Sequence, residues 1–259
     1  MVDRKTTDRI RAAAALCGVL AFAAAAGVAL HSCKAPRGAV PAPIRALGDS
    51  VVLDDFEGRE GLASRWRHKT FSGTDPASFS IARDRDGGHL AAEARSAGSL
   101  LALAVDADPA RYPVLSWRWR VRELPQGADL RRREGDDCGA RLFVAFEYEP
   151  ERATMGEKLA RSFSSEELPG SSLCYVWAAG LAPGTVLPNA FTDRTRMVVV
   201  ESGAEGLGEW REARRDIVSD YERAFGRKPP RITGVAFMVD SDQTRSVAAA
   251  DLDDLSLGR

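Results

Sequence analysis

PVLSWRWRVRE, residues 113–123, reads as a β-strand with two unlike faces. Leu115, Trp117, Trp119 and Val121 fall on one side, and Ser116, Arg118, Arg120 and Arg122 on the other. Successive side chains of a strand point in opposite directions, so the two sets separate cleanly. A side carrying two indoles needs a core. A side carrying three guanidiniums needs water or carboxylates. One such strand is not a fold, and the remaining sequence has to supply its partners.

Working outward, alternating or apolar runs recur at 51–57, 66–71, 78–84, 89–95, 99–106, 140–149, 174–180, 196–203, 231–240 and 246–257. Turn formers punctuate them: Gly58, Gly73-Thr74-Asp75-Pro76, Asp86-Gly87-Gly88 and Asp108-Pro109. Many short strands with frequent turn signals predict a mainly β fold, an antiparallel sandwich of the jelly-roll kind. Two inserted helices interrupt it, TMGEKLARSF (154–163) and EWREARRDIVSDYERAFG (209–226). In the second, Trp210, Ala213, Ile217, Tyr221 and Phe225 recur at helical spacing and Gly226 stops the run. The first and last strands, VVLDDFEG (51–58) and AADLDDLSLG (249–258), share a texture. This resembles galactose-binding-like jelly rolls, in which the terminal strands lie side by side.

The N-terminus reads differently. Arg4, Lys5, Arg9 and Arg11 precede an Ala-rich apolar run of 19 residues, Ala12 to Leu30. That is the layout of a secretory leader, and its length also suffices for a membrane-spanning helix. Leu30-His31-Ser32-Cys33 resembles a bacterial lipobox, with Cys33 as the lipidated residue and His31 as a departure. The expected organisation is a signal peptide or membrane anchor at 1–33, a Pro/Ala-rich linker at 34–49 and a jelly-roll domain at 50–259. The body then belongs in the bacterial cell envelope, facing the periplasm, either held to the membrane by its N-terminus or secreted. An oxidising compartment favours a disulfide between Cys138 and Cys174. Two buried thiols are the alternative.

Bulk charge excludes one class of partner. Thirty-six basic and 37 acidic residues give a net charge of −1, which argues against nucleic acid. The three histidines, His31, His68 and His89, are scattered, so a His-based zinc site or a Ser-His-Asp triad is poorly supplied. Strand alternation places Arg118, Arg141, Glu201 and Asp240 opposite the apolar sides of their strands. If those strands are neighbours, the four residues share one wall, with Tyr175, Trp177 and Asp242 nearby. Arginine forks and carboxylates would hold hydroxyls while a ring stacks on a sugar face. The expected function is binding of a saccharide-like or other polar small molecule without catalysis. Three other readings stand beside it: an envelope glycan hydrolase using Glu201 and Asp240, a structural or protein-interaction module, and an Arg–carboxylate network satisfied internally. No cofactor is expected, although Asp136, Asp137, Asp240 and Asp242 offer oxygen donors of the kind calcium takes. The oligomeric state is left open.

Six stretches together resemble a known family: YPVLSWRWRV (112–121), EGDDCGARLFVAFE (134–147), LCYVWAAGLAPGTVLPNAF (173–191), VVVESG (198–203), LGEWREARRDIVSDYERAFG (207–226) and VAFMVDSDQT (235–244). They follow the order of the bacterial domain-of-unknown-function family 3047, over about residues 50–258. The resemblance implies an exported, jelly-roll-like protein of unassigned activity. Cys138 and Cys174 stand where that family more usually has an aromatic residue and Asn, and Gln243 and Arg245 where it has Asn and Gly. The cysteine pair thus looks like a local feature of this protein, in keeping with a bridge.

Overall fold

The computed structural model describes residues 42–46, 48–152 and 170–259. The leader, Cys33, most of the linker and the helix expected at 154–163 lie outside them. The strands are β1 (Ile44–Arg45), β2 (Ser50–Asp54), β3 (Trp66–Thr70), β4 (Ser78–Asp84), β5 (Gly87–Arg95), β6 (Gly98–Ala107), β7 (Val114–Glu123), β8 (Cys138–Phe146), β9 (Ser171–Ala178), β10 (Val186–Pro188), β11 (Thr195–Ser202) and β12 (Arg211–Asp216). Helix α1 (Ile217–Phe225), β13 (Ile232–Asp240) and β14 (Val247–Gly258) follow.

Two sheets face each other as a sandwich. One runs β1-β6-β13-β8-β9-β11-β10, with β3 sharing the outer edge of β6. The other runs β12-β7-β14-β5-β4, with β2 pairing the last half of β14. The terminal strands β2 and β14 therefore lie side by side, antiparallel, as the jelly-roll resemblance implied. Two pairs depart from a wholly antiparallel design. β1 runs parallel to β6, so a piece of the expected linker joins the sheet. β11 runs parallel to β9 because residues 179–194 carry the chain back, setting Thr195 beside Ser172.

The two inner faces make one apolar core. Trp117 and Trp119 lie edge to face at 5.3 Å, Trp117 is 5.3 Å from Tyr175, and Trp119 is 6.0 Å from Trp177. Burying each of these rings stabilises the fold by about 2–3 kcal/mol. A second apolar layer covers the outer face of the larger sheet. Phe143, Val176, Met197 and Met238 meet Leu130 and Leu181, which come from the β7–β8 and β9–β10 connections.

The helix expected at 209–226 is half strand. Residues 211–216 form β12 along the edge of β7, with Ala213 opposite Trp117. Only from Ile217 does the chain coil, and there the capping signals are local. Asp216 Oδ1 accepts the Ser219 amide at 2.8 Å, and Gly226 closes the last turn at φ 70°. Helical spacing at Ala213 was coincidental, since alternate residues of REARRD also place Ala213 inward. An open strand edge beside β7 outweighed helix propensity.

Candidate functional site

Each outer face of the sandwich carries a cluster of arginine and aspartate. The first centres on Arg141 of β8, which lies beside Met238 of β13 and Val176 of β9. Its Nε donates to Asp240 Oδ1 at 3.1 Å and its Nη2 lies 2.9 Å from Asp240 Oδ2. The same Nη2 donates to the Asp136 carbonyl at 2.6 Å and contacts the Asp136 carboxylate at 3.1 Å, while Nη1 meets Met197 Sδ at 3.5 Å. Asn189 donates to the far oxygen of Asp136. Arg141 and Asp240 are 2% and 3% exposed. The segment carrying Asp136 and Leu130 closes over them.

Asp137, Asp240 and Asp242 bring one carboxylate oxygen each within 4.8 Å of one another. Asp137 is held by Thr244, through its amide at 2.7 Å and its hydroxyl at 2.6 Å. Asp242 comes close because residue 98 is glycine; a Cβ there would sit 3.0 Å from its Oδ1. Arg141 is the guanidinium this group shares. Burial pushes the Asp240 carboxyl well above the ordinary carboxylate range, with Asp137 and Asp136 adding to the rise against the pull of Arg141. Burial likewise raises Asp136 and Asp242. Oxygens this close span the width of a calcium shell, in which each lies at about 2.4 Å from the ion. Three of the four residues expected as calcium donors thus converge, and Asp136 turns instead to Arg141.

The second cluster lies on the outer face of the smaller sheet. Arg118 stands directly opposite Asp253 and Arg120 opposite Asp251, across the β7–β14 ladder. Arg118 Nη2 donates to Asp253 Oδ2 at 2.6 Å, Arg120 Nε to Asp251 Oδ2 at 2.8 Å and Arg122 Nε to Asp251 Oδ1 at 3.0 Å. Arg120 also reaches Asp84 at 3.1 Å and the His89 ring at 3.4 Å. After Asp253 the ladder bulges, and Asp254 adopts φ 50°. The extra residue keeps Asp254 from turning inward and lets it reach Arg118 at 3.1 Å. Trp210 lies over both guanidiniums, its ring 4.7 Å from Arg118 and 4.5 Å from Arg120. It also meets the His89 ring, edge-on at 5.4 Å.

The expected single wall does not form. Arg118 belongs to the smaller sheet and Arg141 to the larger one. Tyr175 and Trp177 face the inner core, because they pair with Leu142 and Ala140 and so share the side of Leu142, opposite Arg141. Glu201 and Asp240 are not a catalytic pair. β8 and β9 lie between their strands, a separation of about 14 Å, whereas two glycosidase carboxylates need about 5–9.5 Å. Asp240 and Asp242 do come together with Arg141, but in a closed setting. The expected bridge is also absent: Cys138 and Cys174 are free buried thiols. The ladder sets Phe143, not Cys138, opposite Cys174, and burial raises both thiols.

Trp210, Arg120, Asp251, Asp253 and Asp254 escaped the sequence reading as site residues. One signal could have found three of them, Arg120, Asp251 and Asp253. Arg-x-Arg-x-Arg in 118–122 and Asp-x-Asp in 251–253 are complementary period-two patterns, which is what facing strands require. Trp210 had no such signal, being absorbed into the supposed helix.

Comparison with known proteins gives the following. Residues 64–256 match the family model described as Protein of unknown function (DUF3047). No curated protein matches the chain. Among solved structures, the family 11 carbohydrate-binding module of the cellulase Lic26A-Cel5E of Clostridium thermocellum is 13% identical at a TM-score of 0.41, over 82% of this chain and 95% of its own. The xyloglucanase domain of NopAA from Sinorhizobium fredii is 9% identical at a TM-score of 0.40, over 74% of this chain and 92% of its own. A cellulase derived from Cel12A of Rhodothermus marinus is 11% identical at a TM-score of 0.40, over 80% of this chain and 98% of its own.

Proposed function

The chain belongs to the DUF3047 family, and we propose that it is an exported, membrane-tethered domain of the bacterial envelope that binds a saccharide-like or other polar ligand without catalysis. Export and tethering rest on the basic, then apolar, N-terminal run and on Cys33. The binding site in this reading is the outer face of the smaller sheet. One observation carries it: Arg118 and Arg120, each anchored on a buried carboxylate, spread beneath the half-buried indole of Trp210. The larger sheet hides its outer face under an apolar layer, whereas this one leaves charged groups at the surface. A plane for stacking and fixed polar groups beside it are the parts that recognise a sugar or a comparable polar ring.

A glycan panel probed with the parent protein and with Trp210→Ala tests the reading. Binding should drop by about tenfold or more in the variant, with an unchanged circular dichroism melt. Equal binding by both proteins would move the site elsewhere. Membrane fractionation of the parent and of Cys33→Ala tests the tether.

A further inference from the structure

Resting on the reading just given, we infer that the open face selects an uncharged, polyhydroxylated ligand and turns away anionic ones. Arginines in a row usually suggest an anion. Here the charge count points the other way. Arg118, Arg120 and Arg122 face Asp84, Asp251, Asp253 and Asp254, so carboxylates outnumber guanidiniums. Each arginine is already committed to at least one of them. Asp251 and Asp253 lie beneath, almost wholly buried, and fix the guanidinium planes. A ligand carboxylate or phosphate would therefore find no surplus positive charge.

It would also meet repulsion. Asp254, which the bulge keeps outward, is 63% exposed at its side chain, and Asp84 is 27% exposed. Both sit at the surface where a ligand would rest. Like charges set against the wrong ligand are an effective means of exclusion.

What remains at the surface is a mixture of donors and acceptors. Arg118 uses Nε and Nη2, and Arg122 uses Nε and Nη2, which leaves Nη1 of each without a partner among the described residues. Beside them stand the exposed oxygens of Asp254 and Asp84. A hydroxyl both donates and accepts, so it can bridge a guanidinium and a carboxylate at once. A carboxylate can only accept and satisfies half of such a surface. Vicinal hydroxyls on a ring that stacks on Trp210 use all of it.

The test is isothermal titration calorimetry of the full chain with neutral hexose oligosaccharides (gluco- and manno-), and with uronic acid oligomers of the same length. Each is run at about 0.05 and about 0.5 M salt. We expect a neutral oligosaccharide to bind with affinity constant to about twofold across salt, since no net charge is neutralised. The uronate should bind at least about tenfold more weakly, and Asp254→Ala should narrow that gap. Tighter binding of the uronate, weakening with salt but still lost in Trp210→Ala, would overturn neutrality and leave the face as the site. Binding of a neutral sugar that survives Trp210→Ala, or no binding by any probe, would overturn the face itself.

Discussion

The two outer faces of the sandwich use the same pair of residues and reach opposite states. On the larger sheet, one arginine and its aspartates are sealed under a loop and an apolar layer. On the smaller sheet, three arginines reach across buried aspartates and stay partly exposed. The difference is what covers the face. Leu130 and Leu181 bring connections down onto Phe143 and Val176, so Arg141 must find every partner inside the protein. No apolar layer comparable to that one covers β7 and β14 among the described residues, so Arg118 and Arg122 keep free capacity. A buried ion pair serves architecture, whereas a half-exposed one with an aromatic plate above it can serve a ligand.

The sharpest way to break this contrast is to remove one arginine from each face. Arg141→Met should cost about 3–5 kcal/mol in chemical denaturation, because Asp136 and Asp240 would be left buried without a cation. Arg141→Met combined with Asp240→Leu should recover part of that loss, since the stranded charge goes too. Arg118→Met should cost only about 1–2 kcal/mol, because water can reach Asp253 in its place. Equal costs at the two sites would mean that the second face is not open.

A smaller effect separates two buried aspartates by pH. Asp240 shares one arginine with other carboxylates, and burial raises it well above 3.8. Asp54 of β2 has the reverse surroundings. Burial opposes its charge, yet Trp66 Nε1 at 2.6 Å, Arg59 at 2.5 Å, the Phe56 amide and Arg65 together lower it. Between the ordinary carboxylate value and the raised one, the folded state holds more protons than the unfolded chain. Stability there rises as pH falls, by at most about 1.4 kcal/mol per pH unit for each such group. For Asp54 the sign reverses: its stabilisation is present above 3.8 and is lost as pH falls through its lower folded value. Thermal melts should therefore show stability increasing as pH falls toward the ordinary carboxylate range and decreasing below about pH 4. In Asp240→Asn the first limb should flatten. In Asp54→Asn the second should.

How much of this was legible in the sequence follows from the same physics. Strand alternation is a local property, and it correctly separated Trp117 from Arg118 and Leu142 from Arg141. It predicted the sandwich and most of its strands. Which strands become neighbours is not local. Nothing in CYVWAAG says that Tyr175 will pair with Leu142, or that β7 and β8, adjacent in the chain, will join different sheets. A wall assembled from several strands was therefore beyond reach, and so was the loop that seals Arg141. The strand in REARRD was hidden for a related reason. A charged run with one Ala and helical neighbours has no preference strong enough to show that an open edge of β7 awaits it.

The smallest expected effect probes the crowd beside Arg141. Asp242 is half-buried, and its carboxylate lies within 4.8 Å of those of Asp137 and Asp240. Asp242→Asn removes one of three like charges while keeping an oxygen to accept from Gln243 Nε2, now at 2.8 Å. With chelator at pH 7 the variant should gain about 0.5 kcal/mol, the scale on which neighbouring like charges act near a protein surface. The gain should shrink as pH falls, because burial already raises Asp242 and the parent takes up the proton sooner than an ordinary carboxylate would. Calcium makes the measurement decisive about the three oxygens. An ion held among them would stabilise the parent by mass action and reverse the sign of the substitution. A loss of stability in chelator would mean that the Asp242 carboxylate is attracted to something stronger than its two neighbours repel it, and the closed face would then be less starved of cations than its single arginine suggests.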